Sequence, residues 1–274
     1  MQESSPARPP REPMFNVPLV IALLIGLLLA VQGVRDMLGQ YSDFEMLVAG
    51  AFVPARLTVG LGLEPASTIL AAIAGSAGRQ SLDFQLAQVF LADGSAHLVT
   101  LLSHAFLHGG WTHVGGNSIW LLAFGSPVAR RLATARFLAF FAFCAVAGAL
   151  AQWLADPQSV QPMVGASGAI SGLMGAAMRF MFRDEIRLGP GAEHDMLLPR
   201  LSLAQSFRNR RVVGFVLAML AINVLTALGF QIIQPGVGKI AWQAHIGGFV
   251  AGVLAFALFD PVPRQTGRRG EPAS

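Results

Sequence analysis

Hydrophobic residues fall into long runs along this chain, and polar residues gather in the breaks between the runs. An apolar run of about 20 residues is long enough to cross a bilayer as a helix. The pattern predicts six such spans, at about residues 15–34, 113–128, 137–154, 167–182, 212–228 and 241–259. It therefore predicts an all-α membrane protein with six transmembrane helices.

The segment between the first and second spans has a mixed pattern. Asp43, Glu45, Pro54 and Arg56 interrupt it, and its apolar stretch at residues 66–77 is too short to cross a bilayer. We expect residues 35–107 to form a long first extramembrane loop with interfacial, partly helical pieces. One further span in this segment is the alternative.

The two ends of the chain differ in composition from the part between them. Residues 1–13 are polar and rich in proline and arginine, which predicts a disordered N-terminus. Residues 14–260 are expected to form one helical domain, and residues 261–274 a short tail. The first apolar run is longer than the core of a typical signal peptide and lacks a clear cleavage site, so it is interpreted as a span.

Composition agrees with a membrane protein. Of the 274 residues, 54% are hydrophobic and only 12% are charged, which excludes an ordinary soluble domain. The single cysteine, Cys144, lies in an apolar run, so an intrachain disulfide is impossible and the thiol is interpreted as structural.

Basic residues are distributed unevenly over the two sides of a six-span topology. Most of the 19 lysines and arginines fall on the side of the two termini, and the exceptions are Arg35, Arg56, Arg79 and Lys239. Positive charge is retained on the cytoplasmic side of membranes, so both termini are expected in the cytoplasm. The clustering of arginines in short loops is interpreted as topology and not as nucleic-acid binding.

The predicted topology gathers the rare polar residues of the spans in one layer. Spans two, four and six begin on the non-cytoplasmic side, and their first turns carry His113 and Asn117, Ser167, and His245, respectively. Polar side chains inside a bilayer are costly and need partners, which makes these four residues functional candidates.

Ser167 and His245 have the residue types of a nucleophile and its base. Glycines at positions 168, 172 and 175, and at 248 and 252, give their two helices small-residue faces that can pack closely. Such packing would bring the His245 imidazole within reach of the Ser167 hydroxyl, whose proton it can take and return to a leaving amine. Since no span offers an acid as a third member, a Ser–His dyad is expected. The alternatives are a helix-packing serine and a histidine that bridges helices.

His113 and Asn117 lie four residues apart and share one helix face. Together with the Ser167 backbone amide they are candidates for an oxyanion hole, and the alternative is a pair that bridges helices. His104, His108 and His113 raise a metal site as a further alternative. No His-Glu-x-x-His motif and no carboxylate among the spans supports that site.

In this order and topology, these residues resemble the rhomboid family of intramembrane serine proteases. The resemblance covers about residues 102–260, and it is carried by the motifs His108-x4-His113-x3-Asn117, Gly165-Ala166-Ser167-Gly168 and Ala244-His245-xx-Gly248-xxx-Gly252. It implies a six-helix rhomboid-like bundle and a Ser167–His245 dyad. The implied oxyanion contacts come from His113, Asn117 and the Ser167 backbone, and the implied supporting residues are His108, Gly165 and Gly168.

The resemblance also implies what the protein acts on. Its expected partners are transmembrane protein substrates in a lipid bilayer, with no cofactor, metal or nucleic acid, and its expected location is a bacterial inner membrane. Two rival classes remain open: a catalytically silent relative that holds membrane clients, and a channel or metal transporter that uses the histidines.

Three features depart from the family pattern. Ser171 stands where the family often has an aromatic residue that packs on the histidine, so another residue must hold the His245 ring, or the ring is held more loosely. Ala129 stands where an acidic residue is frequent. A Trp-Arg pair frequent in the first loop is absent, and residues 52–56 are the candidates for its place.

Overall fold

The computed structural model describes residues 17–182, 198–227 and 241–262, and helices form most of that part of the chain. The α-helices are α1 (Leu19–Met37), α2 (Gln40–Gly50), α3 (Pro54–Gly60), α4 (Ala66–Ser76), α5 (Leu82–Phe90), α6 (Thr100–Ser103), α7 (Trp111–Trp120), α8 (Ser126–Ala155), α9 (Ser167–Ala177), α10 (Leu203–Arg208), α11 (Arg210–Ala227) and α12 (Trp242–Phe259). A 3-10 turn (His104–Phe106) precedes α7, and a π-helical segment (Leu121–Gly125) joins α7 to α8.

Three helical stretches of the described chain are long and apolar enough to cross a membrane: Leu19–Met37, Trp111–Ala155 and Trp242–Phe259. The first and the last correspond to predicted spans one and six. The middle stretch contains predicted spans two and three. Its backbone leaves helical geometry at Ala133, where φ is 60° and ψ is 167°, a combination that glycine tolerates far better than alanine. The predicted break between those two spans is confirmed there.

Predicted span four is longer than the helix observed there, whereas α11 corresponds to predicted span five within two residues. α9 ends at Ala177, and the amides of Arg179 and Phe180 then bond to carbonyls three residues back, as in a 3-10 turn. Neither α9 nor α11 is among the three described stretches that are long and apolar enough to cross a membrane. Six membrane crossings therefore stay a prediction. The predicted disordered segment 1–13 lies outside the described residues, as does the predicted tail beyond Val262.

The segment predicted as a partly helical loop contains α2 to α6, and with Val160 from the loop between α8 and α9 it forms a small second core. Ile69, Phe90 and Val160 are among the buried residues of that core. Arg56 is buried beside it, and its guanidinium donates to the Val48 carbonyl at 2.6 Å and lies 3.0 Å from Nε2 of His97. The predicted helical pieces are confirmed, and the position of this segment outside the bilayer stays a prediction.

The centre of the molecule is the packing of α9 between α8 and α12. A Cβ added to Gly248 would collide with the backbone of Gly168, and one added to Gly252 would collide with the backbone of Gly172. We call these four residues the glycine seam. The two helix backbones touch there with no side chain between them, so the predicted pairing of the two glycine faces is confirmed. Cys144 of α8 packs against Gly172 and is buried, as expected of a structural thiol.

A buried ion pair lies at the other end of these packed helices, next to the C-terminal end of α12. Arg131 Nε lies 2.9 Å from Oδ1 of Asp260, just beyond the C-terminal end of α12, and both side chains are fully buried. Arg200 Nη1 lies 3.0 Å from the other carboxylate oxygen. A fully buried charge that loses its partner is strongly destabilising, so this cluster fixes the position of the end of α12 against α8.

Candidate active site

Ser167 and His245 lie in hydrogen-bonding contact at the head of the glycine seam. Ser167 Oγ is 2.8 Å from Nε2 of His245. Ser167 is the first residue of α9, and His245 lies in the first turn of α12. Both residues are partly exposed. The contact that the sequence predicts between these two side chains is present, whereas their chemical roles stay predictions.

The glycine seam explains why the two side chains meet. Gly168 directly follows Ser167, and Gly248 lies three residues after His245, so the close backbone approach occurs within one turn of both side chains. α8 supports the same point from behind, since a Cβ on Gly148 would lie 2.8 Å from the Ala244 carbonyl oxygen. Backbone contact, which cannot be adjusted by rotating a side chain, therefore sets the distance between the hydroxyl and the imidazole.

The second ring nitrogen of His245 has a partner on α11. Nδ1 lies 3.0 Å from Oδ1 of Asn223, and the Asn223 amide nitrogen donates to the Met219 carbonyl of the same helix at 2.8 Å. Asn223 is 5% exposed. In the sequence Asn223 is a polar residue within the apolar run at residues 212–228, and it is not among the residues that the sequence predicts for the site. The signal was its polarity, and the sequence did not show which neighbour it faces.

His113 and Asn117 face one spot beside the loop that leads into Ser167. A Cβ on Gly165 would lie 2.7 Å from Nε2 of His113 and 3.6 Å from Nδ2 of Asn117. The Gly109 amide donates to Nδ1 of His113 at 3.2 Å, so the neutral ring carries its proton on Nε2. Nδ2 of Asn117 is buried and has no hydrogen-bond partner among the described residues. Two N–H donors therefore converge next to Gly165.

Gly165 gives the loop before Ser167 its shape. Its φ is +117°, in the region that favours glycine, and its amide donates to the His104 carbonyl at 2.9 Å. The His104 ring is buried and bonds through Nδ1 to the Thr100 carbonyl at 2.9 Å. Because burial disfavours the charged ring, the pKa of His104 is lowered to about 4. His104 is thus an anchor of the loop.

His108 lies beside His113. The two rings meet edge to face with centroids 5.1 Å apart, and the His108 carbonyl accepts a hydrogen bond from Arg35. Burial lowers the pKa of His108 to about 3, so its ring is neutral at ordinary pH. In the described ranges, no group of three or more His, Cys, Asp and Glu side chains is arranged to hold a metal ion.

Comparisons with known proteins agree on one family. A family model described as the rhomboid domain matches residues 95–261. RHOMBOID-like protein 5 of Arabidopsis thaliana is 28% identical over 159 residues, which are 58% of this chain and 43% of that protein. Rhomboid protease GluP of Bacillus subtilis is 30% identical over 158 residues, which are 57% of this chain and 25% of that protein. Rhomboid protein 1, mitochondrial, of Saccharomyces cerevisiae is 35% identical over 176 residues, which are 62% of this chain and 45% of that protein. The chain spans less than half the length of each of these relatives.

Proposed function

The chain belongs to the rhomboid family of integral membrane proteins, and we propose that it is a serine endopeptidase that cleaves transmembrane proteins within the bilayer. The observation that carries the proposal is the 2.8 Å contact between Ser167 Oγ and His245 Nε2. A hydroxyl in contact with an imidazole at the start of a membrane helix is the arrangement that an activated serine nucleophile needs.

In the proposed reaction Ser167 Oγ attacks a peptide carbonyl carbon while its proton passes to Nε2 of His245. His245 then gives that proton to the departing amine, the C–N bond breaks, and an acyl-enzyme remains. Water activated by His245 hydrolyses the ester and frees Ser167. Since only a neutral imidazole can take the proton, activity should decline as the solution is acidified.

Three N–H groups are proposed to stabilise the tetrahedral oxyanion. Nε2 of His113 and Nδ2 of Asn117 converge beside Gly165, and the Ser167 amide is one of the N–H groups at a helix start for which the helix supplies no acceptor. The positive end of the α9 dipole favours the same charge. His108, packed on His113, and Gly168, in the seam, are the proposed supporting residues.

The proposed architecture is a six-helix bundle of residues 14–260 with both termini in the cytoplasm of a bacterium. The fully buried ion pair between Arg131 and Asp260 supports this topology, because it joins residues predicted at the cytoplasmic ends of their helices. It lies at the opposite end of α12 from His245. The proposed site therefore opens toward the non-cytoplasmic side, where residues 35–107 are the proposed first loop.

Substrate is proposed to reach the site sideways from the lipid, past α11. The outer face of that helix is apolar and exposed at Leu217, Leu220 and Val224. A helix with an exposed apolar face borders lipid on that side and has fewer protein contacts to break when it moves.

The test uses the full chain purified in detergent and a fluorophosphonate that acylates activated serines. Ser167→Ala and His245→Ala should each reduce labelling, and cleavage of a reporter transmembrane helix with small residues near its outer end, by at least about 10³-fold. Ser171→Ala is the matched control, because it removes a buried serine hydroxyl one turn further along the same helix. It should leave the labelling rate and the cleavage rate within a few-fold of the wild type.

The rival classes give different results. A protein that only holds membrane clients would bind the reporter without cleaving it and would leave the probe unreacted. A metal transporter would move zinc in proteoliposomes and lose that activity with His108→Ala. Wild-type protein that is folded but unlabelled, or labelling that survives Ser167→Ala, would reject the proposal.

A further inference from the structure

We propose that Asn223 is a positioning residue whose amide oxygen accepts a hydrogen bond from the Nδ1–H of His245 and thereby keeps the Nε2 lone pair directed at Ser167. This inference rests on the proposed function, in which His245 is the base. It adds a residue from α11 to the site formed by Asn117 of α7, Ser167 of α9 and His245 of α12.

The orientation of the Asn223 amide follows from its second contact. Nδ2 lies 2.8 Å from the Met219 carbonyl oxygen, which can only accept a hydrogen bond. A flipped amide would place Oδ1 against that carbonyl, and two acceptors would then face each other at hydrogen-bond distance. The Met219 carbonyl therefore holds Nδ2 on its side and leaves Oδ1 toward His245.

The orientation of the amide decides the tautomer of the histidine. Oδ1 of Asn223 is 3.0 Å from Nδ1 and has no proton to give, so Nδ1 must carry the ring proton. A neutral imidazole has one N–H, and Nε2 is then unprotonated where it lies 2.8 Å from Ser167 Oγ. The opposite tautomer would point an N–H at the hydroxyl and could not take its proton.

Burial strengthens the effect of this hydrogen bond. Asn223 is 5% exposed, so little water competes for Nδ1, and an unpartnered amide oxygen there would be costly. The fixed amide also restrains the ring itself. Ser171 stands one turn after Ser167, where the resemblance leads us to expect an aromatic side chain against the histidine, and its small side chain cannot give the ring such a packing surface. The hydrogen bond from α11 restrains the ring instead.

The experiment compares substitutions at and beside position 223 in the full chain in detergent. Asn223→Leu keeps the branching of the side chain at Cγ, makes it larger and apolar, and removes the acceptor, and Asn223→Asp keeps an acceptor oxygen. Ala221→Leu, at an exposed position of the same helix, is the control for a larger apolar residue in α11. The fluorophosphonate labelling rate of Ser167 is measured together with ¹⁵N spectra of labelled histidine, in which protonated and unprotonated ring nitrogens differ strongly. The His245 signals are assigned by their loss in His245→Gln.

We expect His245 in the wild type to be protonated at Nδ1 and not at Nε2. In Asn223→Leu this preference should be lost, and labelling should slow by roughly 10- to 100-fold, which is part of the contribution of a positioned base. Asn223→Asp should label faster than Asn223→Leu, and Ala221→Leu should match the wild type.

Two outcomes would overturn the inference while leaving the proposed function intact. One is wild-type labelling in Asn223→Leu. The other is slow labelling in Asn223→Leu with His245 still protonated at Nδ1, which would assign Asn223 a merely structural role. If instead folded wild-type protein is never labelled, the proposed function itself fails, and the spectra alone report whether Asn223 sets the tautomer.

Discussion

His245 is held from two sides by helices that pack in different ways. On the α9 side the glycine seam places backbone against backbone, with no side chain between. On the α11 side the contact is made by side chains, with Met219 packing in one cluster with Phe249 and Val253 of α12. The outer face of α11 remains exposed, 59% at Leu217 and 56% at Val224. The distance from the imidazole to Ser167 is thus set by the rigid side, whereas the orientation of the ring is set by one amide on the looser side.

Disrupting the glycine seam, the rigid side, should have the largest effect on cleavage activity. Gly248→Val would place a branched side chain where the Gly168 backbone lies, so α9 and α12 must separate. Overpacking costs about 1–3 kcal/mol of stability, and a displacement of even about 1 Å at a reacting pair costs on the order of 10²-fold in rate. We expect no detectable cleavage and faster thermal inactivation, measured in the same detergent as the wild type.

The looser side offers the matched control for that change. Gly214 lies on α11, and a Cβ added there meets no atom within 4 Å. Gly214→Val should therefore retain cleavage within a few-fold of the wild type. Equal loss of activity in both variants would show that the two sides do not differ in the way the packing indicates.

A smaller effect on cleavage activity is expected from a change in the loop that leads into Ser167. Gly165→Ala would require alanine at φ +117° and would place its Cβ 2.7 Å from Nε2 of His113. The backbone strain costs about 1–3 kcal/mol, and a donor displaced by about 1 Å costs on the order of 10²-fold in rate. Cleavage of the reporter helix should fall by that factor in protein that remains folded.

The control for this loop change lies on α7, between the two proposed oxyanion donors. Gly115 has open space around an added Cβ and no positive φ, so Gly115→Ala should leave kcat nearly unchanged. Normal cleavage by Gly165→Ala would contradict the placement of the two donors beside Gly165.

The smallest effect, on stability alone, is expected away from the helices that hold His245, in the segment between α5 and α6. The hydrogen bond from His97 keeps the pKa of Asp93 below its usual value, with help from the Ser95 amide. A carboxylate with a depressed pKa stabilises the fold above its unfolded-state pKa, and the contribution is lost as the pH falls through the lower folded-state pKa. Asp93→Asn should therefore reduce stability at pH 7, by less than about 1 kcal/mol for so exposed a group.

Thermal inactivation of wild type and Asp93→Asn, measured from neutral to acidic pH, checks this. The two curves should converge in acid, while cleavage at neutral pH stays the same for both proteins. A difference in stability that persists in acid would mean that the carboxylate charge is not its cause.

The close packing of α9 on α12 was predictable, because glycines four residues apart on both helices leave backbone as the only available contact surface. The contact between Ser167 and His245 followed from it. Asn223 was not predictable as part of the site. Its polarity is visible in the sequence, but the face it turns toward depends on the rotation of α11 against α12, and apolar side chains such as Met219 allow many rotations.

The amino-acid sequence by itself determined which segments are apolar, where the backbones can touch, and which polar side chains lie at the heads of the helices. Periodicity and residue size are local properties, and they suffice for those conclusions. Only the tertiary structure decided where the donors His113 and Asn117 converge, which nitrogen of His113 carries its proton, and what holds the far side of His245. Those features depend on hydrogen bonds to Gly109 and Asn223 and on distances of about 3 Å between helices, which no spacing along the chain encodes.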